Sequence, residues 1–448
     1  MNPTRPLLID LYQLTMAQAY FARGMKDRAV FELFVRSLPR SRRFLIAAGL
    51  AQALEYLEAL RFAPEDLEFL ATLGLFSSEF LQALGAFRFS GMVHAVPEGT
   101  PFFAQEPILR VTAPLAEAQL IESRMLNIVH FQTVIGSKAA RCTLAAGGGQ
   151  LVDFGLRRAH ESSAGLYAAR AAYIGGFEAT ATVEAGQRFG IPLSGTMAHS
   201  FIEAHRGEEE AFRDFVASYP GAATLLIDTY DTERGAERVA ALARELEESG
   251  SSHRIGAVRI DSGDLARECR AVRDILDSRG CQAIEIIASG GLDEYTIADL
   301  VRDAAPIDAF GVGTALDVSA DAPSLDMAYK LQEYAGRARR KRSPGKATWP
   351  GVKQVFRQRG AQQQIVRDEV ALAEEAVDGE ALLVEVMRDG RRVGPAVPLA
   401  QVRAHCLQQL RTLPAALRDL QPDTGSTSPV RISAALRALA SQVDAEAG

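Results

Sequence analysis

The segment IGAVRIDSGDL (residues 255–265) joins an apolar, β-branched run to a cluster of polar and flexible residues, and five other segments repeat this pattern. The apolar half is typical of a buried strand in a parallel sheet. Stretches with helical spacing, such as ERGAERVAALARELEESG (233–250), lie between most of the segments. This alternation predicts an α/β fold with a barrel or a doubly wound sheet. The other segments are LVDFGLRRAH (151–160), IPLSGTMAHS (191–200), ATLLIDTYDT (223–232), AIEIIASGGLDEY (283–295) and IDAFGVGTAL (307–316).

Polar clusters that follow strands have two explanations. In folds of this kind, ligands bind at the C-terminal ends of the strands, where the clusters would lie together. Turns and helix N-caps also favour Gly and Asp, so roughly one such cluster in three would be only a cap. Six clusters in succession, with arginines and histidines among them, favour one shared site. We therefore predict an enzyme.

The composition narrows the class of protein. The 448 residues are 48% hydrophobic, which is enough for more than one core. A formal net charge of −7 argues against general nucleic-acid binding, which needs a basic face. No segment approaches the roughly 18 apolar residues of a membrane span, and the start, MNPTRPLLIDLYQLT, lacks the apolar core of a signal peptide. The four cysteines show no metal-ligand spacing, so we expect reduced, structural cysteines in a cytoplasmic protein.

Changes in periodicity divide the chain into three parts. Residues 1–130 mix strand and helix signals and predict an N-terminal α+β domain. Residues 131–335 contain the repeated segments and predict the barrel. Residues 336–448 begin with the basic loop GRARRKRSPGK and continue as a small region of short strand and helix signals.

Two of the six clusters carry glycines that suit phosphate binding. Ser289, Gly290 and Gly291 follow one predicted strand, and Gly311, Gly313 and Thr314 end the next. Glycine lets backbone N–H groups approach an anion at the start of the following helix. Neither cluster is a complete nucleotide-binding motif, so each alone is weak evidence. Two on neighbouring strands favour a ligand with a phosphate on a sugar.

Charged residues in the remaining clusters suit the other parts of such a ligand. Asp261 and Asp264 could bind sugar hydroxyls or Mg²⁺, although Asp264 is equally well explained as a helix N-cap. Arg157, Arg158 and Arg259 would supply positive charge for a carboxylate or for phosphates. An arginine at a strand end can instead pair with a neighbouring acid.

His199, in SGTMAHSF, is the chemically most versatile residue of the set. It could act as a general base, a metal ligand or a phosphoryl acceptor. The nearest other histidine or cysteine is His205, six residues away, which weakens the metal interpretation. From spacing alone, a hydrogen-bonded structural histidine is slightly favoured.

These motifs, in this order, resemble those of nicotinate phosphoribosyltransferase. The resemblance runs from Asp10 to about Arg357 and implies an irregular, TIM-like α/β barrel in a homodimer whose active sites borrow residues across the interface. It implies condensation of nicotinate with 5-phosphoribosyl 1-pyrophosphate, coupled to ATP hydrolysis, with Mg²⁺ accompanying the phosphates. The motifs are DLYQLTMAQAY (10–20), VDFGLRRAH, SGTMAHSF, LIDTYDT, VRIDSGDL, ASGGLDEY, FGVGTAL and KRSPGKATWPGVKQVFR (341–357).

The resemblance also implies a role for each matching residue. Tyr12, lent by the other subunit, and Phe154 would cover the two faces of the pyridine ring, and Thr196 and Arg259 would contact nicotinate. His199 would be phosphorylated transiently by ATP. The remaining roles are Asp261 for the ribose hydroxyls, Arg157 for the substrate anions, and Ser289, Gly290, Gly291, Gly311, Gly313 and Thr314 for the 5′-phosphate.

Three positions bear on how closely the chain follows the family. Glu161 stands where glycine is usual, and Ala315 stands where a longer, often basic, side chain is common. Ala181 stands where the related nicotinamide enzymes carry an Asp, which would accept a hydrogen bond from a carboxamide and repel a carboxylate. Ala181 therefore favours nicotinate. The alternatives are an enzyme for nicotinamide or quinolinate, and a non-catalytic nucleotide-binding regulator that retains the barrel.

Overall fold

The computed structural model describes residues 5–219, 221–421 and 429–446. The strands, in chain order, are β1 (Arg28–Val35), β2 (Leu45–Ile46), β3 (Met92–Ala95), β4 (Pro101–Phe102), β5 (Pro107–Pro114), β6 (Gln150–Asp153), β7 (Ala179–Thr180), β8 (Ala222–Leu226), β9 (Arg254–Ile260), β10 (Glu285–Ser289), β11 (Ala309–Val312), β12 (Met327–Tyr334), β13 (Arg337–Ala338), β14 (Lys353–Arg359), β15 (Ile365–Leu372), β16 (Glu380–Ala381), β17 (Val384–Arg388), β18 (Arg391–Arg392) and β19 (Val430–Ile432).

Helices separate most of these strands. They are α1 (Leu11–Ala22), α2 (Leu50–Ala59), α3 (Pro64–Thr72), α4 (Ser78–Gly85), α5 (Leu115–Leu120), α6 (Glu122–Ala146), α7 (Ser162–Ile174), α8 (Val183–Phe189), α9 (His199–Glu203), α10 (Glu208–Ser218), α11 (Thr232–Glu248), α12 (Leu265–Ser278), α13 (Glu294–Arg302), α14 (Thr314–Asp317), α15 (Leu399–Thr412), α16 (Ala415–Arg418) and α17 (Ala434–Glu446), with 3-10 turns at Leu156–Arg158 and Ala361–Gln363.

The chain forms two compact units. The first contains residues 1–137 and 324–448, and the second contains residues 138–323. Residues 336–448 thus group with the N-terminal residues in this division. The proposed separation into domains 1–130, 131–335 and 336–448 stays a prediction.

The first unit is built on a seven-stranded antiparallel sheet, in the order β13-β12-β1-β5-β3-β17-β18. The inner strand β1 pairs with β5 on one side and with β12 on the other, and all but the first of its residues are buried. A four-stranded sheet, β16-β14-β15-β19, and the two-stranded sheet β2-β4 complete the unit. The mixed α+β character predicted for the N-terminal part is confirmed.

The second unit is built on a six-stranded parallel sheet, in the order β7-β6-β11-β10-β9-β8. The sheet is curled into a half-barrel, and the predicted α/β fold class is confirmed. Its strand β11, Ala309–Val312, is entirely buried, as the continuous apolar runs predict, and β10 is buried from its second residue onward. The covering helices bury one face each, for example Cys269, Val272 and Leu276 of α12.

One of the six predicted strands is replaced by another segment. Residues 191–200 make only an isolated parallel bridge, between Leu193 and Thr180, and the sixth strand of the sheet is β7 instead. The segment still runs beside β7, since the Thr180 N–H donates to the Pro192 carbonyl (3.1 Å) and the Ser194 N–H donates to the Thr180 carbonyl (3.0 Å). Pro192 has no N–H for a regular ladder, which explains why the strand is not extended.

No helix in the described ranges is long and apolar enough to cross a membrane.

Candidate active site

The parallel register brings the polar clusters of the second unit to one edge of its sheet. Ser289 pairs with Gly311 at the end of β10 and β11, and Val312 pairs with Asp153 at the end of β11 and β6. The residues that follow these strands are therefore neighbours, as the sequence predicts. Ala181, which follows β7, joins the same edge because its N–H donates to the Asp153 carbonyl (2.9 Å).

Phe154 lies directly against the end of β11. A Cβ atom added to Gly311 would stand 2.5 Å from two ring carbons of Phe154, so glycine is required for this approach. The ring is only partly buried, which leaves apolar surface at the site. A partly exposed aromatic ring at a strand end can stack against a planar ligand.

Arg259 is held beside Phe154. Its guanidinium carbon lies 5.8 Å from the centre of the Phe154 ring, and its Nη1 donates to Thr196 Oγ1 (2.6 Å). Burial lowers the pKa of Arg259, and the neighbouring positive charge of Arg157 acts in the same direction, while Asp261 and Asp228 oppose it. The predicted pair Thr196 and Arg259 thus meets at one place, with Arg157 close enough to add to the positive field.

Asp261 is fixed by contacts to both of its neighbouring strands. Its Oδ1 accepts from Ser289 Oγ (2.5 Å) and lies 3.7 Å from Arg259 Nη2. Its backbone N–H donates to Asp228 Oδ2 (2.9 Å), which also accepts from Ser262 Oγ (2.6 Å). Asp228 thereby holds the loop that carries Asp261. The motif LLIDTYDT was recognised in the sequence, but nothing in its composition singled out Asp228 for this role.

The first of the two predicted phosphate-binding segments is Ser289–Gly291, and we call each such segment a cradle. Its backbone has the left-handed conformation that its glycines predict. Gly290 and Gly291 have φ of +89° and +68°, in the left-handed region that favours glycine. A Cβ on Gly290 would lie 1.9 Å from the Asp261 carbonyl oxygen, whereas nothing stands within 4 Å of the position of a Cβ on Gly291. The Cα of Gly291 therefore has open space on the side where a side chain would stand, three residues before α13 begins. This geometry can receive an anion.

The second predicted cradle lies at the start of α14. Thr314 is the first helical residue and is exposed, and Gly313 precedes it with its Cα close to the Phe154 carbonyl; an added Cβ would lie 3.2 Å from that oxygen. Ala315, the second helical residue, adds no polar group here. The cradle therefore depends on the Thr314 hydroxyl and on backbone N–H groups.

His199 begins the short helix α9. Its Nδ1 lies 3.1 Å from Thr229 Oγ1, and the side chain is partly exposed. His205 is engaged elsewhere, with Nδ1 on the Phe201 carbonyl (2.7 Å) and Nε2 3.4 Å from Asp214. The two histidines therefore have different partners and do not form one site. Thr229, which orients the imidazole, was not identified from the sequence.

Asp264 is a helix N-cap, which is one of the two roles that the sequence allows for it. Its carboxylate accepts from the backbone N–H of Arg267 (3.2 Å) and caps the N-terminus of α12. Within the described ranges, no group of three or more His, Cys, Asp and Glu side chains is arranged to hold a metal ion.

Glu161 occupies a backbone conformation that explains the glycine expected there. Its φ is +112°, in the region that side chains other than glycine rarely adopt. Its carboxylate accepts from the Ser162 hydroxyl and from the Ser163 N–H (2.9 Å), and so caps the N-terminus of α7. These hydrogen bonds, that of Ser162 first, lower the pKa of Glu161 to about 2. The loop thus keeps its turn without the glycine.

Tyr12 belongs to the first unit, on α1, where it is 44% exposed. Burial and the nearby charge of Glu122 raise the pKa of Tyr12 to about 12, so the phenol is neutral. Leu8, Leu11 and Phe21 are also exposed on or beside this helix. A run of exposed apolar side chains of this kind suits a contact with another molecule.

Comparison with known proteins places the chain among related sequences. The nicotinate phosphoribosyltransferase (NAPRTase) N-terminal domain matches residues 7–130, and the nicotinate phosphoribosyltransferase (NAPRTase) family matches residues 149–338. The Mycobacterium tuberculosis (strain ATCC 25618 / H37Rv) nicotinate phosphoribosyltransferase pncB2 is 48% identical over 430 residues, covering 95% of this chain and 91% of that protein. The Bacillus subtilis (strain 168) enzyme is 42% identical, covering 78% and 72%.

The fold agrees as well. The crystal structure of human nicotinic acid phosphoribosyltransferase superimposes with a TM-score of 0.87 at 30% sequence identity, over 97% of this chain and 100% of that one. With both family domains matched and relatives of this similarity over most of its length, the chain belongs to the nicotinate phosphoribosyltransferase family.

Proposed function

We propose that this chain joins nicotinate to 5-phosphoribosyl 1-pyrophosphate, giving nicotinate mononucleotide and pyrophosphate in NAD biosynthesis, with ATP hydrolysed to ADP and phosphate. The observation that carries the proposal is the contact of Arg259 with Thr196 and Phe154, beside the Ser289–Gly291 cradle. A cation, a hydroxyl and an aromatic face suit the carboxylate and ring of nicotinate. The neighbouring cradles suit a sugar phosphate.

The reaction needs the pyridine nitrogen to attack the anomeric carbon of the ribose as pyrophosphate leaves. Arg259 and Phe154 would orient the ring, so that the nitrogen points away from the anchored carboxylate. Asp261 lies between Arg259 and Ser289, where its carboxylate can bind the ribose hydroxyls and stabilise positive charge that develops on the sugar. Arg157 and the cradles would stabilise the negative charge of the phosphates.

His199 would couple ATP to this reaction. Its Nδ1 contact with Thr229 orients the imidazole and leaves Nε2 as the atom that attacks the γ-phosphate. Phosphoryl transfer would form an N–P bond as the bond to ADP breaks, and water would later release phosphate.

Mg²⁺ would enter with phosphoribosyl pyrophosphate and ATP. Asp228 Oδ1 is buried and accepts no hydrogen bond from the residues that the structure describes, so the carboxylates around Asp261 can still receive a cation. Asp261 and Asp228 would hold the ion near the phosphates, where it would neutralise charge on the pyrophosphate, while Asp264 serves as the N-cap of α12. We further propose a cytoplasmic homodimer in which Tyr12 of each subunit completes the site of the other.

The choice of nicotinate over nicotinamide rests on Ala181. Its backbone hydrogen bond to Asp153 sets it beside Phe154 at the edge of the sheet, and its methyl group brings no negative charge there. Quinolinate would need additional cations for its second carboxylate, and the six segments at the strand ends contain no lysine. Retention of Phe154, Arg259 and His199 counts against a regulator without catalysis.

The direct test is product formation from nicotinate and from nicotinamide, each with and without ATP. Wild-type protein should form mononucleotide from nicotinate, faster with ATP, and little from nicotinamide. Ala181→Asp should reduce turnover of nicotinate more than that of nicotinamide, since a carboxylate repels the nicotinate anion. Preference of the wild-type protein for nicotinamide, or no product from either, would refute the proposed function.

His199→Ala should abolish stimulation by ATP while retaining some uncoupled synthesis, because the phosphoryl acceptor is lost but the pyridine and ribose contacts remain. Initial rates with and without ATP measure this, together with phosphorylation of the protein by labelled ATP. His205→Ala is the matched control and should keep the stimulation. Full stimulation in His199→Ala would show that another residue accepts the phosphoryl group.

Arg259→Ala should raise the KM for nicotinate by roughly 10- to 100-fold, the range expected when a charged hydrogen bond is lost. The KM for phosphoribosyl pyrophosphate should change far less. Arg302→Ala, at the exposed end of α13, is the control for loss of an arginine. Equal increases for both substrates would assign Arg259 to the phosphates instead.

Mixing inactive Tyr12→Ala with inactive Asp261→Ala chains should restore activity if the sites are shared between subunits. Half of the dimers would be mixed, and each would hold one intact site, so a random mixture should recover roughly a quarter of wild-type activity. Mixing Tyr12→Ala with the double variant Tyr12→Ala/Asp261→Ala is the control and should recover none. Verified heterodimers that stay inactive would place the whole site within one chain.

A further inference from the structure

Two carboxyl groups are buried beneath the turn that carries Phe154. Asp153 is the last residue of β6 and is 1% exposed, and Asp317 is the last residue of α14 and is 2% exposed. They come from segments far apart in the sequence. Neither was assigned a role from the sequence, and the mechanism above does not use them.

Asp153 ties the turn to two strands. Its Oδ1 accepts from the Gly155 N–H (2.8 Å), and its Oδ2 accepts from Thr180 Oγ1 on β7 (2.7 Å). Its backbone carbonyl accepts from the Ala181 N–H (2.9 Å). Both carboxylate oxygens are thus engaged by donors, as expected for an ionised acid.

Asp317 has no comparable donors. Among the described residues, no N–H or O–H group donates to either of its carboxyl oxygens. The group packs flat against the turn, since a Cβ on Gly155 would stand 2.2 Å from Asp317 Cγ and 2.5 Å from both oxygens. The Asp153 carboxylate, which accepts from the N–H of the same Gly155, is the neighbouring acid, and its charge acts on Asp317. Two acceptors can share a hydrogen bond only if one of them carries a proton.

We propose that Asp317 is a positioning residue that carries this proton: its carboxyl O–H donates to Asp153, and the pair fixes the Phe154–Gly155 turn that receives the pyridine ring. The pair therefore acts on the binding of nicotinate, and this role rests on the function proposed above for Phe154. No bond to substrate is made or broken by either acid.

The surroundings favour the protonated form. Burial, and next the charge of Asp153, raise the pKa of Asp317 to about 9; burial raises the pKa of Asp153 as well. Asp321, on the loop after α14, is paired with Lys138 (3.1 Å). Arg157 and Arg158 of the 3-10 turn and Tyr167, Arg170 and Tyr173 of α7 also stand on elements packed against α14, and none of these groups donates to Asp317.

The sign of the pH dependence follows from the proton count. Between the ordinary Asp pKa of 3.8 and about 9, the folded chain holds a proton at Asp317 that the unfolded chain has lost. Stability must therefore decrease with rising pH through this range, relative to a chain without this group. Above about pH 9 both carboxyl groups become ionised, and their repulsion would release the turn.

The test compares Asp317→Asn with Asp317→Ala. Asparagine keeps the shape and an N–H donor for Asp153 but cannot titrate, whereas alanine removes the donor. Asp299→Asn, on the exposed face of α13, is the matched control for replacing an acid by its amide. For each protein we would measure Tm from pH 6 to 9.5, the KM for nicotinate and for phosphoribosyl pyrophosphate over the same range, and the infrared carbonyl band of a protonated carboxyl group.

Four results are expected. The Tm of Asp317→Asn relative to wild type increases steadily as the pH rises, and the infrared band of the protonated acid is lost in this variant. Asp317→Ala raises the KM for nicotinate about 10-fold or more, with a smaller change for phosphoribosyl pyrophosphate, and Asp317→Asn recovers most of this loss. In wild type the KM for nicotinate rises above about pH 9 relative to that of Asp317→Asn. Asp299→Asn behaves like wild type throughout.

Two results would overturn the proposal. Parallel Tm profiles for wild type and Asp317→Asn, with no carbonyl band assigned to Asp317, would show that no proton is held there. An altered Tm profile with an unchanged nicotinate KM in Asp317→Ala would show that the pair does not position the ring. Phe154→Ala separates the causes: if it raises the nicotinate KM, only the positioning role fails, and if it does not, the proposed site fails.

Discussion

The close approach of backbone at the ends of the parallel strands is the constraint on which the site depends. At Gly155, Gly290 and Gly311, a single added carbon would stand 2.5 Å or less from a carboxyl group, a carbonyl oxygen or an aromatic ring. Without these approaches the loops could not pack against one another. Phe154 would be pushed from the sheet, and Asp261 would lose its place beside Ser289. The chemistry of the site therefore depends on positions that have no side chain at all.

Much of the fold could be predicted because its signals are local. Buried parallel strands require continuous apolar runs, and five of the six runs became strands of the sheet. The strand at 191–200 was predicted wrongly, since its apolar residues surround Pro192, and the short strand β7 in FEATATVEAG gave too brief a signal. The sequence could not decide whether Asp264 is a helix N-cap or a ligand-binding residue, because both roles favour an Asp directly after the strand. In the structure it caps α12.

The site was predictable where each residue follows its own strand, and unpredictable where two distant segments meet. Arg259 and Thr196 were named separately, and the fold brings them into contact. The contact between Thr229 and His199 depends on how the loops after β8 and before α9 pack, which no spacing reveals. The Asp153 and Asp317 pair is a stronger case, because a buried acid looks like a solvated one until its surroundings are known.

The pairing of β1 has a consequence for synthesis of the chain on the ribosome. All strands of the parallel sheet lie within one continuous stretch of the chain, but β1 has its partner β5 nearby and its other partner, β12, almost 300 residues later. Domains are completed in the order in which their residues emerge. The backbone groups along one edge of β1 therefore stay unpaired until β12 (Met327–Tyr334) has left the exit tunnel of the ribosome. An unpaired, apolar strand edge is prone to aggregation, so the nascent chain is exposed to this risk during the interval.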